Sequence, residues 1–466
     1  LSTEIAPAAP PARLARTMGG FGALLITLSN LSPGIGVFVV GADVVHQAGE
    51  GTLLCFALAG LLGVPVAAAY AELSAAFPET GGEYTIAART LGPGFAFAML
   101  GLNLFTFTIS PAAIGLGIAS YLGAVFPGVP PVPIALAAVA AVTLLAVLNV
   151  RLNALVTGLF LAVELGALAG VAALGLGHPA RPLAPLLVHP LAAGAHGLGP
   201  ASLASLGLGV AAAIYAFDGY SSVVYLGEEI AEAPRRMARV IFSALGLGAL
   251  FMLVPLAGVL IGAPDLSALF ASERPVSAFV GAVGGATLAR GVSLAVALAL
   301  VNAMIASALM GGRQLYSSGR DRAWGGRASA ALARLHPRFN SPWVATLAVG
   351  AVAMLWCLVK LNVLLILIGD GTAAIYACMC LAALAGRRRG VTDASPFRMR
   401  PFPLLPWLGL VALGALALAD LFDPDGRTGL AVAGGVIAAA VLYYRLALRG
   451  RGQWRDRGPA ADVVAG

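Results

Sequence analysis

The sequence predicts an all-α protein that threads a membrane about twelve times, and three observations carry that expectation. Hydrophobic residues fill 59% of the 466 positions and charged residues 11%, with a mean hydropathy of +0.92. A soluble domain carries roughly 25% charged residues, so most of this chain cannot face water. The apolar residues gather in long, unalternated Ala/Leu/Val/Gly-rich runs, each near the ~20 residues that a helix needs to cross lipid. Barrel strands would be short and alternating, which leaves helices to satisfy the backbone in the bilayer. Arginines, finally, collect in alternate connections between the runs, as the positive-inside bias requires.

Taken in order, the runs lie near 20–47, 51–77, 93–123, 132–149, 153–177, 200–226, 238–262, 291–311, 342–359, 361–385, 404–421 and 427–447. Residues 1–18 hold Pro, Ala and Arg without an apolar core, which predicts a cytoplasmic tail and no cleavable signal peptide. Residues 19–177 make a first set of five helices, 178–199 an extracellular loop and 200–386 a second set of five. A basic cytoplasmic loop at 387–403, two additional helices at 404–447 and a cytoplasmic tail at 448–466 complete the chain. With a cytoplasmic N-terminus, the inside segments collect Arg16, Arg89, Arg151, Arg235, Arg236, Arg313, Arg320, Arg338, Arg387, Arg388 and Arg389, among others. The outside segments keep only Arg181, Arg274, Arg290, Lys360 and Arg427. Both termini are therefore expected in the cytoplasm, with the chain in the inner (plasma) membrane. The formal charge of +7 is topological and does not point to nucleic acid.

Two runs carry an interruption. The first contains Ser32-Pro33-Gly34-Ile35-Gly36 and the sixth Phe217-Asp218-Gly219-Tyr220. Proline lacks an N–H and glycine is a poor helix former. Either feature alone would read as a kink, but helices one and six are the first helices of the two five-helix sets. Interrupted helices at matching positions point to an inverted-repeat transporter with its site near the midplane. Cys55, Cys357, Cys378 and Cys380 fall inside apolar runs, with neither disulfide nor zinc spacing, and read as packing residues. His46, His178, His189 and His196 read as surface residues of the outer face, so no metal site and no cofactor are expected.

The stretch Tyr70-Ala71-Glu72-Leu73, running on to Phe77-Pro78-Glu79-Thr80-Gly81-Gly82-Glu83-Tyr84, resembles a hallmark of the amino acid–polyamine–organocation permeases. So do Ala216-Phe217-Asp218-Gly219-Tyr220 with Gly227-Glu228-Glu229-Ile230, and Gly312-Arg313-Gln314-Leu315-Tyr316 with Gly319-Arg320-Asp321. Gly34-Ile35-Gly36-Val37-Phe38 looks like the family's glycine motif in helix one, with Ile35 where a serine is common. The resemblance spans about residues 20 to 345. It implies a LeuT-like fold and secondary transport of amino acids or related amines by alternating access.

An unwound helix can receive such a solute without a charged side chain. Amides at the start of one half-helix favour an anion, and carbonyls at the end of the other favour a cation. Gly34, Ile35 and Gly36 are the candidates for the carboxylate; Ser32, Tyr215 and Asp218 offer carbonyls to the amine. The rings of Tyr215 and Phe217 would cover a bound cation, and Gly219 would permit close backbone approach. Three acids lie within the runs, Glu164, Asp218 and Asp370, at a cost of roughly 2.5–3.5 kcal/mol or more each when charged. They are candidates to couple a proton. Some proton-coupled relatives resemble this chain but carry a lysine near the place of Glu164. Ser307 is a single hydroxyl near the region that sodium would use, which makes sodium the second choice. Glu228, Glu229, Arg235 and Arg236, with Arg320, Asp321 and Arg322, would either close an inner gate or form a solvated loop.

The expectation is a proton-coupled permease, with an exchanger or sodium symporter of the same fold, or a non-transporting sensor, as alternatives. No nucleophile–base pair or HExxH pattern argues for an enzyme, and no phosphate-binding loop for an ATP-driven pump. The partners are a small solute and the lipid bilayer, and homo-oligomerisation stays open.

Overall fold

The computed structural model of the protein describes residues 14–126, 128–194, 197–450 and 454. Most of both expected tails, and His196, lie outside these residues. The first run forms α1 (Gly20–Leu31), a single turn α2 (Pro33–Ile35), a π-turn (Gly36–Val40) and α3 (Gly41–Ala48). There follow α4 (Thr52–Ala76), the short α5 (Glu83–Thr90), α6 (Pro93–Val125), α7 (Pro131–Ala146) and α8 (Val150–Gly177). The loop after α8 holds α9 (Leu183–Val188) and an antiparallel hairpin of β1 (Leu191–Gly194) and β2 (Gly197–Pro200). The second half runs through α10 (Leu203–Ala216), a 3₁₀ segment (Ser222–Leu226), α11 (Ala233–Gly262), α12 (Leu266–Ala271) and α13 (Pro275–Arg320). It continues with α14 (Gly326–Leu332), α15 (Trp343–Trp356), α16 (Leu361–Arg388), α17 (Leu404–Asp420) and α18 (Pro424–Tyr443).

Among the described residues, seven helical segments are long and apolar enough to cross a membrane, and α7, α10, α15 and α17 are shorter apolar helices. The chain is a multi-span helical membrane protein. Its helices start where local chemistry lets them. Pro93, Pro131 and Pro275 stand at helix N-termini, where a missing N–H costs nothing. Asn149 and Ser202 cap α8 and α10 by accepting from backbone amides three residues on. Leucines such as Leu155, Leu203 and Leu355 are more than two-thirds exposed, a lipid-facing pattern that would be a liability in water.

α13 packs along α6, and α11 along both α4 and α8. The α8–α11 crossing is a contact of bare backbones. A Cβ on Gly175 would lie 2.0 Å from the Gly258 carbonyl oxygen, and one on Gly262 would lie 2.7 Å from Gly175 Cα. Small residues at helix crossings in lipid permit this approach.

The helices extend beyond the run at 291–311, because α13 begins at Pro275 and kinks at Gly285, whose φ is +84°. Arg290 and Gly284-Gly285 hide that extension from a hydropathy reading. The hairpin was equally hidden, since β1 and β2 have no alternating pattern.

Candidate functional site

The first interruption begins at Ser32, which takes a left-handed φ of 44° after its N–H closes α1 on the Leu28 carbonyl. Pro33 then starts α2 at the position that proline favours. The amides of the new half-helix all have partners. Gly34 N donates to Glu164 Oε1 at 2.7 Å, and Ser32 Oγ donates to the same oxygen at 2.9 Å. Ile35 N donates to Ser32 Oγ at 3.4 Å, and Gly36 N to the Ser32 carbonyl at 3.2 Å. Glu164, on α8, is 2% exposed, and its Oε2 makes no hydrogen bond. A carboxylate from another helix thus binds the first free amide of the break, as an anion at a helix N-terminus does.

The second interruption follows α10. The amides of Phe217 and Asp218 turn back onto the carbonyls of Ile214 and Tyr215, and Gly219 adopts a φ of +106°. A Cβ there would stand 2.8 Å from Leu31 N and 2.9 Å from the Asn30 carbonyl carbon. The two interruptions touch at Gly219, and only glycine fits both the space and the conformation. Asp218 Oδ1 accepts from the hydroxyl of Tyr376, on α16, at 2.5 Å.

Beside this contact lies a cavity of about 280 Å3, lined by α1, α2, α6, α10, α13 and α16. Ile35, Tyr215, Asp218 and Ser307 line it, together with Asn30, Thr106, Ser110 and Thr372. Its lining includes one acid and, among the described residues, no basic side chain. Of the other candidates, Ser32 and Gly34 are turned toward Glu164, and a Cβ on Gly36 would meet Met252 of α11 at 2.6 Å. Phe217 packs on Phe56, with ring centroids 6.3 Å apart, and faces α4. Asp370 is not among the lining residues; it bonds Asp420 of α17, within electrostatic reach of Tyr215. Sequence reasoning missed Asn30, Thr106, Ser110, Thr372 and Tyr376. These are single polar groups in apolar runs, and only tertiary packing gathers them.

Buried ion pairs gather at one end of the bundle. Arg313, fully buried, makes two hydrogen bonds to Glu229, one through Nη2 at 2.9 Å. Arg320 donates to Glu228 at 2.8 Å, while the other Glu228 oxygen accepts from Thr80 N at 3.1 Å. Arg89 pairs with Glu79 at 2.6 Å. Arg387 holds both oxygens of the fully buried Glu72, at 2.7 and 2.6 Å. Met18 N donates to the Glu229 carbonyl at 3.0 Å, which ties the N-terminal stretch to the same place. The pairs expected from Arg235 and Arg236 do not form here: Arg235 is exposed, and Arg236 bonds Glu232 on the surface at 3.0 Å. Arg313 replaces them, at the end of an apolar run.

Residues 18–444 match the sequence profile of the amino acid permease family. An uncharacterised transporter of Mycobacterium tuberculosis is 30% identical over 91% of each chain. A branched-chain amino acid permease of Bacillus subtilis is 24% identical over 85% of this chain and 86% of its own length. A methylthioribose transporter of the same organism is 25% identical over 92% of this chain and 93% of its own.

Proposed function

From the chain's membership of the amino acid permease family, we propose that it carries an amino acid or related organic amine across the inner membrane by alternating access, coupled to a proton. The observation that carries this reading is Glu164, a buried acid of α8 that binds the interruption of the first helix directly. Ionised, its carboxylate accepts from Gly34 and Ser32 and ties α8 to the half-helix. Protonated, it is a poorer acceptor and the tie loosens, which frees the half-helix to move.

The solute's amine takes Asp218 as its partner in the cavity, beside Asn30 and Tyr215. Its carboxylate takes the amides of Ile35 and Gly36, whose present bonds to Ser32, at 3.4 and 3.2 Å, are the longest at the break. Twelve crossings, five of them repeated in inverted order with α1–α3 and α10 first in each set, give a LeuT-like frame for this site. The arginine-rich end is cytoplasmic by the positive-inside bias, so both termini are cytoplasmic. The ion pairs then form an inner gate, and the conformation described is closed inward. Branched-chain amino acids and methylthioribose, the solutes named for two relatives, belong in the first panel of substrates.

Uptake of labelled amino acids and amines into proteoliposomes, under an imposed proton or sodium gradient, tests the proposal. Accumulation driven by protons supports it. Accumulation by sodium alone moves the coupling role to Ser307 and its surroundings. Counterflow without accumulation makes the protein an exchanger, and silence in every arm favours a sensor.

A further inference from the structure

Glu83 opens α5, the short helix that joins two spans without itself crossing, and it is 3% exposed. Four other buried acids at the same end each face an arginine: Glu72, Glu79, Glu228 and Glu229. Glu83 faces none among the described residues. Tyr70 Oη donates to its Oε1 at 2.9 Å, Asn103 Nδ2 to its Oε2 at 3.4 Å, and the Tyr225 hydroxyl bonds it as well. Cys378 of α16 and Asp218 complete the titratable groups around it. Neutral donors do not repay the burial of a full charge. Burial holds the Glu83 carboxyl above the ordinary carboxylate range, and the Asp218 charge pushes the same way against the bonds from Tyr225 and Tyr70.

Two tyrosines stand between Glu83 and the cavity, each with its hydroxyl on a different carboxylate. The Tyr70 ring meets the Tyr376 ring edge-on, with centroids 5.7 Å apart, and Tyr376 donates to Asp218. A carboxyl without a cation therefore stands at each end of a tyrosine pair, one in the cavity and one at the ion-paired end.

We propose that Glu83 is a second proton-carrying acid, which shares one proton with Asp218 and releases it at the arginine-rich end when the ion pairs open. The proton that leaves the Asp218 carboxyl arrives on the Glu83 carboxyl; the tyrosines begin and end neutral, and no other reactant takes part. This rests on the proton-coupled reading above.

The test uses the full chain with Glu83→Gln and Tyr70→Phe variants. In infrared pH-difference spectra of the purified protein, the wild type loses a protonated-carboxyl band as pH rises, and Glu83→Gln lacks that band. In proteoliposomes, with the solute the wild type accumulates, Glu83→Gln loses proton-driven accumulation by about tenfold or more while counterflow stays within about twofold. Tyr70→Phe removes a donor to the ionised form, so the pH midpoint of uptake moves upward. The proposal is overturned if Glu83→Gln keeps both band and accumulation. It is also overturned if Glu83→Gln loses counterflow and accumulation together while Tyr70→Phe leaves the pH profile unmoved, the mark of a structural role. A wild type that exchanges but never accumulates with protons defeats the coupling reading and the release step with it, whereas a band absent from the wild type, or kept in Glu83→Gln, defeats the Glu83 assignment alone.

Discussion

At the residue scale, Gly219 and Glu164 hold the two interruptions in place. Gly219→Ala meets a φ of +106° and a backbone 2.8 Å away, so it strains both interruptions at once. The left-handed conformation alone costs a residue with a Cβ about 1–2 kcal/mol, and the clash adds to that. A fall in the thermal unfolding midpoint and loss of solute binding are expected. Gly246→Ala is the control, because its Cβ meets nothing within 4 Å and α11 there is regular helix. It should be neutral or stabilising by up to about 1 kcal/mol. Equal effects of the two variants would mean that the contact at Gly219 does not matter. For Glu164→Gln, the amide oxygen still accepts from Gly34 but can hold no proton. Counterflow should persist and uphill uptake should vanish; uptake that still follows the proton gradient would remove Glu164 from the coupling. Pro33, Gly34, Gly36 and Gly219 made the interruptions legible in the sequence, because backbone chemistry is local. The direction each residue faces was not legible. Nothing local says that Gly34 looks to α8, Gly36 to α11 and Phe217 to α4 while Ile35 faces the cavity.

Among the elements, the ion-paired end joins α4, α5, the turn after the 3₁₀ segment, α13 and α16 through four carboxylates and four arginines. Removing one partner of a buried pair leaves a bare charge in a dry place, at about 3–5 kcal/mol. Glu229→Gln should therefore lower the unfolding midpoint more than an exposed substitution such as Glu232→Gln, whose pair with Arg236 contributes about 0–1 kcal/mol. The double variant Glu229→Met with Arg313→Met should recover much of that loss. A midpoint for Glu229→Gln equal to the wild type would mean that water already reaches the pair. Of the charges the sequence offers for this end, Arg320 pairs with Glu228, whereas Arg235 and Arg236 stay out of the cluster. Arg313 at the end of an apolar run reads as a flanking inside charge, and only tertiary packing buries it against Glu229. Arg235 and Arg236 look like gate residues by adjacency to Glu228 and Glu229, yet the start of α11 turns them to the surface.

For the whole molecule, the limits of the apolar runs foretold most helices to within a few residues, because lipid imposes one length on every span. The kink at Gly285 and the hairpin of 191–200 escaped, since neither has an apolar period. All four cysteines are buried, so a membrane-impermeant maleimide should leave the native protein largely unlabelled. An Ala113→Cys variant places a thiol in the cavity; its labelling from outside should fall, and from inside rise, when Glu229→Gln is added. Labelling from inside that does not respond would uncouple the ion pairs from access. The bare-backbone crossing of α8 and α11 has a mechanical consequence. With no side chains between Gly175 and Gly258 the helices already stand at their closest approach there, which makes the crossing a point about which they can pivot. Glu164 sits eleven residues along α8 from that fulcrum, a lever of about 16 Å at 1.5 Å per residue. A tilt of about 10° sweeps its carboxylate through about 3 Å, a full hydrogen-bond length, so a small rocking of one helix releases the broken one.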